Sequence, residues 1–438
     1  MCSWVWAWQH WEWCAVVVEP LPCWLMNTTA SSATPSGIPP QALAGLKVIE
    51  LGQLIAGPFA GKTLADFGAE VIKVEPPAVE GGAGGDPLRQ WRMLHNGTSV
   101  WWQVQSRNKQ SVVLDLRTDE GRDTVRRLID EADVLIENFK PGTLEKWGMG
   151  YEVLSRSNPG LIMLRVSGYG QTGPYRDRPG FAVVAEAMGG MRYLNGEPGR
   201  APVRAGVSLG DTLAALHGVI GVLLALQARQ ASISRDAPKG LGQVVDVALY
   251  ESVFNCMESL LPEYSAFGAV RQPAGSALPG IAPSNAYPCV DGMVVIGGTG
   301  DSIFQRLMIA IGRDDLATDP QLTRNPGRVA RVAEIDAAIG LWTQARRVEQ
   351  VLAVLNAASV PVGRIYSARD IAHDPHYRAR DMILPVTTHD GLTVEVPGII
   401  PKLSATPGGI SRRGPMLGED TDEVLARLAG ASHRPDGG

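Results

Sequence analysis

From Leu46 onward the chain alternates short aliphatic runs with amphipathic stretches, and that alternation constrains the fold more than any other feature. The run Lys47-Val48-Ile49-Glu50-Leu51 is followed by helical periodicity after Pro58 and then by Val71-Ile72-Lys73-Val74. Both runs are rich in β-branched residues, which suit strands. The pattern continues through Ser111-Val112-Val113-Leu114, a helix carrying Val125, Leu128 and Ile129, the strand Val134-Leu135-Ile136, a helix after Pro141, and Leu161-Ile162-Met163-Leu164. A helix between successive strands forces a crossover, so the strands lie parallel and are covered on both faces. The expected class is α/β, and such sheets bind ligands at the carboxyl ends of their strands.

At 438 residues the chain exceeds one ordinary core, which predicts two domains. A long apolar helix is expected over 213–226 and a polar surface loop over 232–242. Past Tyr250 the composition shifts, and residues 275–362 carry their own strand, Met293-Val294-Val295-Ile296, with helices expected over 302–311 and 348–357. The expected boundaries are an N-terminal extension over 1–42, a large domain over 43–255, a small domain over 270–360, and a stretch over 365–430 that returns to the large domain through a helix at 420–428. The tryptophan-rich opening (Trp4, Trp6, Trp8, Trp11, Trp13, Trp24) lacks the basic start and unbroken apolar core of a signal peptide, and is too interrupted to span a bilayer. It reads as a dispensable extension, with Met26 as the expected functional start.

Charged residues make up 19% of the chain and the net charge is −5, without basic runs, which excludes a nucleic-acid or anionic-membrane footprint and points to a small-molecule partner. Cys2, Cys14 and Cys23 sit in the extension, leaving Cys256 and Cys289 isolated in the body. That usage fits a reducing compartment, hence the cytoplasm.

Two glycine-bearing turns could carry chemistry. Gly52-Gln53-Leu54-Ile55-Ala56-Gly57-Pro58 joins the first strand to its helix and reads either as a tight turn or as an anion cradle at a helix start. Glu75, after the second strand, stands where a ribose-binding acid is expected. Gly206-Val207-Ser208-Leu209-Gly210-Asp211 matches G-x-S-x-G by letter, which would make Ser208 a hydrolase nucleophile. The preceding Pro198 and Pro202 do not supply the buried strand that such an elbow needs, so the match reads as accidental. Asp211 reads as a helix N-cap, as a nucleophile, or as both, because a carboxylate at a helix start is held ionised and oriented. His373 and His376 flank Pro375, which breaks the helical face a metal pair would use, and no metal site is expected. His217 reads as a core or interface residue.

Several motifs taken together resemble the CaiB/BaiF family, the class III CoA-transferases. They are Gly45-Leu46-Lys47-Val48-Ile49-Glu50-Leu51, Ala56-Gly57-Pro58, Gly68-Ala69-Glu70-Val71-Ile72-Lys73-Val74-Glu75, Asn108-Lys109-Gln110-Ser111, Glu137-Asn138-Phe139-Lys140-Pro141-Gly142, Gly168-Tyr169-Gly170-Gln171-Thr172-Gly173-Pro174, Gly210-Asp211 and Gly242-Gln243-Val244-Val245-Asp246-Val247-Ala248-Leu249. The resemblance runs from about 43 to 428. It implies a large Rossmann-like domain built from both chain ends, a smaller α/β domain, and a homodimer interlocked like links of a chain. It also implies that Asp211 is the nucleophile, that Gln53, Leu54, Ala56, Asn138 and Phe139 line the CoA pocket, and that Lys146 approaches the CoA phosphates. The co-substrate is then a CoA thioester, with no permanently bound cofactor. Some relatives carry Arg after the acid of the second strand where this chain has Glu75-Pro76-Pro77, so contacts at the adenine end do not carry over.

The implied chemistry is demanding. A carboxylate of ordinary pKa near 3.9 must expel a thiolate of pKa near 8.5, so the anhydride is uphill in water and needs fixed donors and exclusion of water. The glycine-rich segment 79–86 and the loop 275–284 are candidate lids. Racemases of the same fold carry a His-Asp pair where this chain has Phe181-Ala182, which cannot move a proton. A 2-methylacyl-CoA racemase and a non-catalytic CoA-binding subunit are the alternatives to a transferase. For the acceptor acid, Gln53, Ile55, Trp91, Arg89, Arg107 and Arg204 are candidates, since a guanidinium suits the distal carboxylate of a dicarboxylic acid. Ile55 stands where oxalate-using relatives have a polar residue, which weighs against oxalate and leaves succinyl-CoA with a short dicarboxylic acid as the expected pair.

Overall fold

The computed structural model describes residues 41–79 and 82–431. The expectations for residues 1–40 lie outside the described residues, as does the centre of the candidate lid at 80–81.

Six parallel strands form the main sheet: β1 (Lys47–Glu50), β2 (Glu70–Glu75), β3 (Lys109–Val113), β4 (Val134–Glu137), β5 (Ile162–Ser167) and β6 (Val244–Ala248). Their order is β3-β2-β1-β4-β5-β6, so the direction of winding reverses between β1 and β4. An open α/β sheet splits into a crevice at such a reversal. Five of these strands follow the aliphatic runs of the sequence. β6 was not among the expected strands, because it lies at the sheet edge and its Val244-Val245-Asp246 half is only partly covered.

Helices cover both faces. α1 (Ala56–Asp66), α3 (Ala182–Met188) and α4 (Leu209–Ala231) form one layer, where Ala60, Leu64, Ala185, Ala214, Ala215 and Val222 pack on Val48, Ile136 and Leu164. On the opposite face α2 (Asp119–Asp130) and α5 (Thr421–Ala431) contribute Val125, Leu128, Ile129, Val424 and Leu428, packed on Ile49, Ile72 and Leu135. α4 comes close because its contact face is small: a Cβ on Gly218 would sit 2.9 Å from Leu164. Its outer face carries Leu216, Ile220, Leu223 and Leu224 in the open. By length and composition alone α4 would cross a bilayer, a test that core helices of globular proteins also pass.

A second, antiparallel sheet is built from β7 (Ser284–Cys289), β8 (Gly292–Gly297) and β9 (Val362–Arg364), in the order β9-β8-β7. It has its own core, including Tyr287, Val294, Ile296, Leu307, Ile339 and Leu355. Helices Asp301–Ala310 and Val348–Ala357 lie where the sequence pattern put them, within a residue. The chain's last described helix returns to the first sheet. Ser111 of the edge strand β3 donates its N–H to Asp420 (2.8 Å), and Val113 donates to the Thr421 hydroxyl (3.0 Å).

Candidate active site

The turn from β1 into α1 is close-packed at the winding reversal. A Cβ on Gly52 would lie 3.0 Å from the Cα of Gly57, and the reverse holds equally, so neither position tolerates a side chain without movement. Across the crevice, Asn138 after β4 accepts from the Gln53 N–H and donates to the Gln53 carbonyl, both at 2.8 Å. Leu54 is held in the left-handed region at φ 63°, a costly conformation for a branched side chain. Its N–H donates to both oxygens of Asp86, at 3.0 and 3.1 Å. Two N–H groups of the turn are thus committed to side chains, which narrows the anion-cradle reading to the start of α1.

Beneath the turn lies a buried charge network. Glu50 binds Lys73 (2.9 Å) and Lys109 (2.7 Å), and Lys73 reaches on to Asp86 (2.9 Å) and the Gly52 carbonyl (2.6 Å). Glu75 holds Arg89 bidentately at 2.8 and 2.7 Å, and also accepts from the Ser111 hydroxyl and the Asp86 N–H. Three carboxylates thus face three cations, which is what makes their burial tolerable. Burial works against ionisation of Glu75 and Asp86, yet Arg89 and Lys73 hold their carboxyls below the usual range.

Buried pairing corrects three sequence expectations. The four lone-pair sites of Glu75 are filled, so it has none left for a ribose hydroxyl. Arg89 is paired with Glu75 and stacked 3.7 Å over Trp102, which removes it from the acceptor site. Arg107 is fully buried, bidentate to Asp66 at 2.9 and 2.7 Å with a third bond to the Pro397 carbonyl, so it braces the scaffold and presents no surface to an acid.

Over the reversal opens a cleft of about 290 Å³, lined by Leu51, Gln53, Val74, Glu75, Phe139 and Trp147 among others. Phe139 packs edge-on against Trp147, and its N–H donates to Glu137 at 2.8 Å. Of the expected CoA-binding residues, Gln53 and Phe139 line this cleft, Asn138 is tied to it through its two bonds to Gln53, and Leu54 adjoins Gln53 in the chain. Lys146 is exposed and precedes Trp147 in the chain. Ile55 (6% exposed) and Ala56 (3%) present almost no surface. Trp91 lies outside this cleft, at 6.3 Å from the ring of Trp101.

Asp211 stands on the same carboxyl edge of the sheet, because α4 follows β5 in the crossover to β6, but it does not line that cleft. It is the third residue of α4, and Ser208 takes the N-cap position without a side-chain cap bond. The simple N-cap reading of Asp211 is therefore corrected by one turn, although its carboxylate still lies at the positive end of the helix. Gly210 packs on Ala182, where a Cβ would meet it at 3.3 Å. Burial pushes Asp211 up to about 6, with the negative charge of Glu186 adding to the rise and Arg204 opposing it.

Sequence reasoning missed Glu186 and Arg192. Glu186 is buried on α3, with Arg192 at 3.3 Å and Arg204 at 3.9 Å from the same oxygen. Arg204 also donates to the Ser208 hydroxyl at 3.1 Å. Ser208 follows an irregular stretch rather than a strand, which disposes of the hydrolase elbow. His217 is bonded to the Leu213 carbonyl and His373 to the Arg369 carbonyl. Among the described residues no group of three or more potential ligands is placed to hold a metal.

Residues 43–421 match the model of CoA-transferase family III. The chain is 48% identical over 394 residues to the succinyl-CoA–D-citramalate CoA-transferase of Chloroflexus aurantiacus, covering 90% of this chain and 95% of that protein. It is 43% identical over 393 residues to the succinyl-CoA–L-malate CoA-transferase beta subunit of the same organism, covering 89% and 94%. The crystal structure of a CaiB/BaiF family protein from Brucella suis superposes with a TM-score of 0.77 at 36% identity, covering 89% of this chain and all of that one. A match of this extent, in sequence and in the six-stranded parallel sheet, identifies an enzyme of the CaiB/BaiF type: the chain belongs to CoA-transferase family III.

Proposed function

We propose that this enzyme moves CoA from succinyl-CoA to a short dicarboxylic acid through an anhydride and then a CoA thioester on Asp211. The observation that carries the reading is Asp211 itself, a desolvated carboxylate at the positive end of α4 with a guanidinium nearby. Desolvation raises the nucleophilicity of a carboxylate, and the helix end and Arg204 orient it. The two Chloroflexus relatives are named for succinyl-CoA and dicarboxylic acids, which supports the substrate pair. Gln53, Leu54, Ala56, Asn138, Phe139 and Lys146 are assigned to the CoA moiety, and Ile55 and Trp91 to the acid. A racemase reading has no support at Phe181 and Ala182.

Mass spectrometry of CoA thioesters after mixing the protein with succinyl-CoA and a panel of acids tests this directly. A new thioester with a dicarboxylic acid is expected; free CoA alone would indicate hydrolysis and sink the proposal. The rate should rise with pH through about 6, as Asp211 loses its proton and becomes nucleophilic. A rate flat from pH 5 to 7 would remove Asp211 from the attacking role.

We further read residues 43–255 and 365–430 as the large domain, 270–360 as the small one, and the protein as an interlocked homodimer in the cytoplasm. Support for the dimer comes from the exposed apolar faces of α4 and of residues 260–267, where Phe267 is 83% exposed. Monomeric proteins rarely leave large apolar faces in water. Native mass spectrometry is expected to give twice the chain mass, and a monomer at micromolar concentration would overturn it.

A further inference from the structure

Four charged groups gather at the start of α4: Asp211, Glu186, Arg192 and Arg204. Two features set this cluster apart from a closed structural ion pair. Glu186 Oε1 and Arg192 Nε are buried without a hydrogen-bond partner, so the bonding capacity of the cluster is not used up. Arg204 holds Glu186 only at 3.9 Å through Nε and Ser208 through Nη2, and its side chain is 45% exposed. It is the cation of the group with donors open to an incoming anion.

The charges balance in the resting enzyme, two against two. They do not balance once the reaction starts. An Asp211 oxygen attacks the thioester carbonyl, the C–S bond breaks, and the thiolate of CoA leaves with the bonding pair and the negative charge. Asp211 becomes an uncharged acyl anhydride, and two guanidinium groups then face Glu186 alone. The same holds when Asp211 carries CoA as a thioester and waits for the acceptor. Each covalent stage therefore removes the carboxylate charge that repels an incoming anion and competes with it for Arg204. The remote carboxylate of a dicarboxylic acyl group takes its place.

We propose that Arg204 receives the remote carboxylate of both the succinyl donor and the dicarboxylic acceptor, and that Glu186 is the positioning residue that holds Arg204 beside Asp211. The inference rests on the anhydride reading above and adds the reason for a dicarboxylic substrate. A monocarboxylic acid of equal length fills the same space but leaves the charge unbalanced.

Asp211→Asn reproduces the uncharged stage without chemistry, so binding can be read apart from transfer. Calorimetric titration of the full-length protein with succinate and with butyrate compares the two acids within one sample, which cancels any unfolded fraction. Succinate should bind Asp211→Asn at least about 10-fold more tightly than the unsubstituted enzyme, with no such gain for butyrate. Adding Arg204→Gln should weaken succinate about 10–100-fold and butyrate only a few-fold. Equal gains for both acids, or an unchanged succinate affinity in the double variant, would overturn the assignment. Glu186→Gln should move the acid limb of the pH–rate profile to lower pH by removing a negative neighbour of Asp211, a shift that a purely structural residue would not cause. An unmoved limb removes Glu186 from the positioning role. A protein that binds succinate as described but transfers no CoA would refute the proposed function and leave the anion site standing.

Discussion

Asp211→Asn lowers CoA transfer by at least about 10⁴-fold and at the same time stabilises the fold, two effects of opposite sign from one atom exchange. On the proposed mechanism the loss follows from removing a nucleophile whose covalent adducts divide the reaction into two steps, and such losses are among the largest single substitutions produce. The gain follows from burial. Folding moves Asp211 from 3.8 to about 6, because its charged form is desolvated and faces Glu186. A shift of that size corresponds to at most about 3 kcal/mol, and partial exposure reduces it to roughly 1–2 kcal/mol. An acid raised on folding costs nothing below its unfolded value and its full penalty above its folded one. The stabilisation should therefore be full above pH 6 and fade toward pH 4. Denaturant titrations of both proteins at pH 4 and pH 7.5 measure it, and an Asn variant that is active, or whose gain over the unsubstituted protein is no larger at pH 7.5 than at pH 4, would contradict the assigned environment.

Gly61→Ala is expected to cost about 3–5 kcal/mol, although alanine in a helix ordinarily gains about 0.5–1 kcal/mol over glycine. Gly61 lies within α1, and a Cβ built there falls 1.8 Å from Glu50 Oε2. Glu50 is fully buried and grips Lys73 with one oxygen and Lys109 with the other, so it has no direction in which to yield without stranding a buried ammonium. The damage should spread to the turn at Gly52, whose carbonyl Lys73 holds, and hence to CoA binding. Urea unfolding of the variant measures the loss; a change within 1 kcal/mol of zero would show that the network repacks freely.

The strands β1 to β5 were legible because a parallel strand buried on both faces must be an aliphatic run, whatever its partners. β6 escaped because an edge strand keeps polar Asp246 exposed between its valines and so loses that signature. α3 was not legible either: it is seven residues long, and Val183 and Val184 face outward, against the rule by which amphipathic helices are read. With α3 went Glu186. The buried network under the crevice shows the general limit. Glu50 and Lys109 are 59 residues apart, and Glu75 and Ser111 are 36 apart. A buried charge looks like a surface charge until its partner is known, which is why Arg89 and Arg107 read as candidate ligands. Asp211 was singled out by the family resemblance, since local chemistry alone left a helix cap and a nucleophile both open.

The edge strand β3 has a further consequence, for synthesis. Its outward N–H groups at Ser111 and Val113 are taken up by Asp420 and Thr421, and the first of these bonds spans 309 residues. At a translation rate of about 5–20 residues per second, roughly 15–60 s pass between the making of the strand and the making of its cover. For that interval the nascent chain carries an open sheet edge rich in valine, the kind of surface that pairs indiscriminately with other chains. The enzyme is therefore one whose sheet is sealed last, from the far end, and whose yield in a cell depends on what shields that edge while the ribosome finishes.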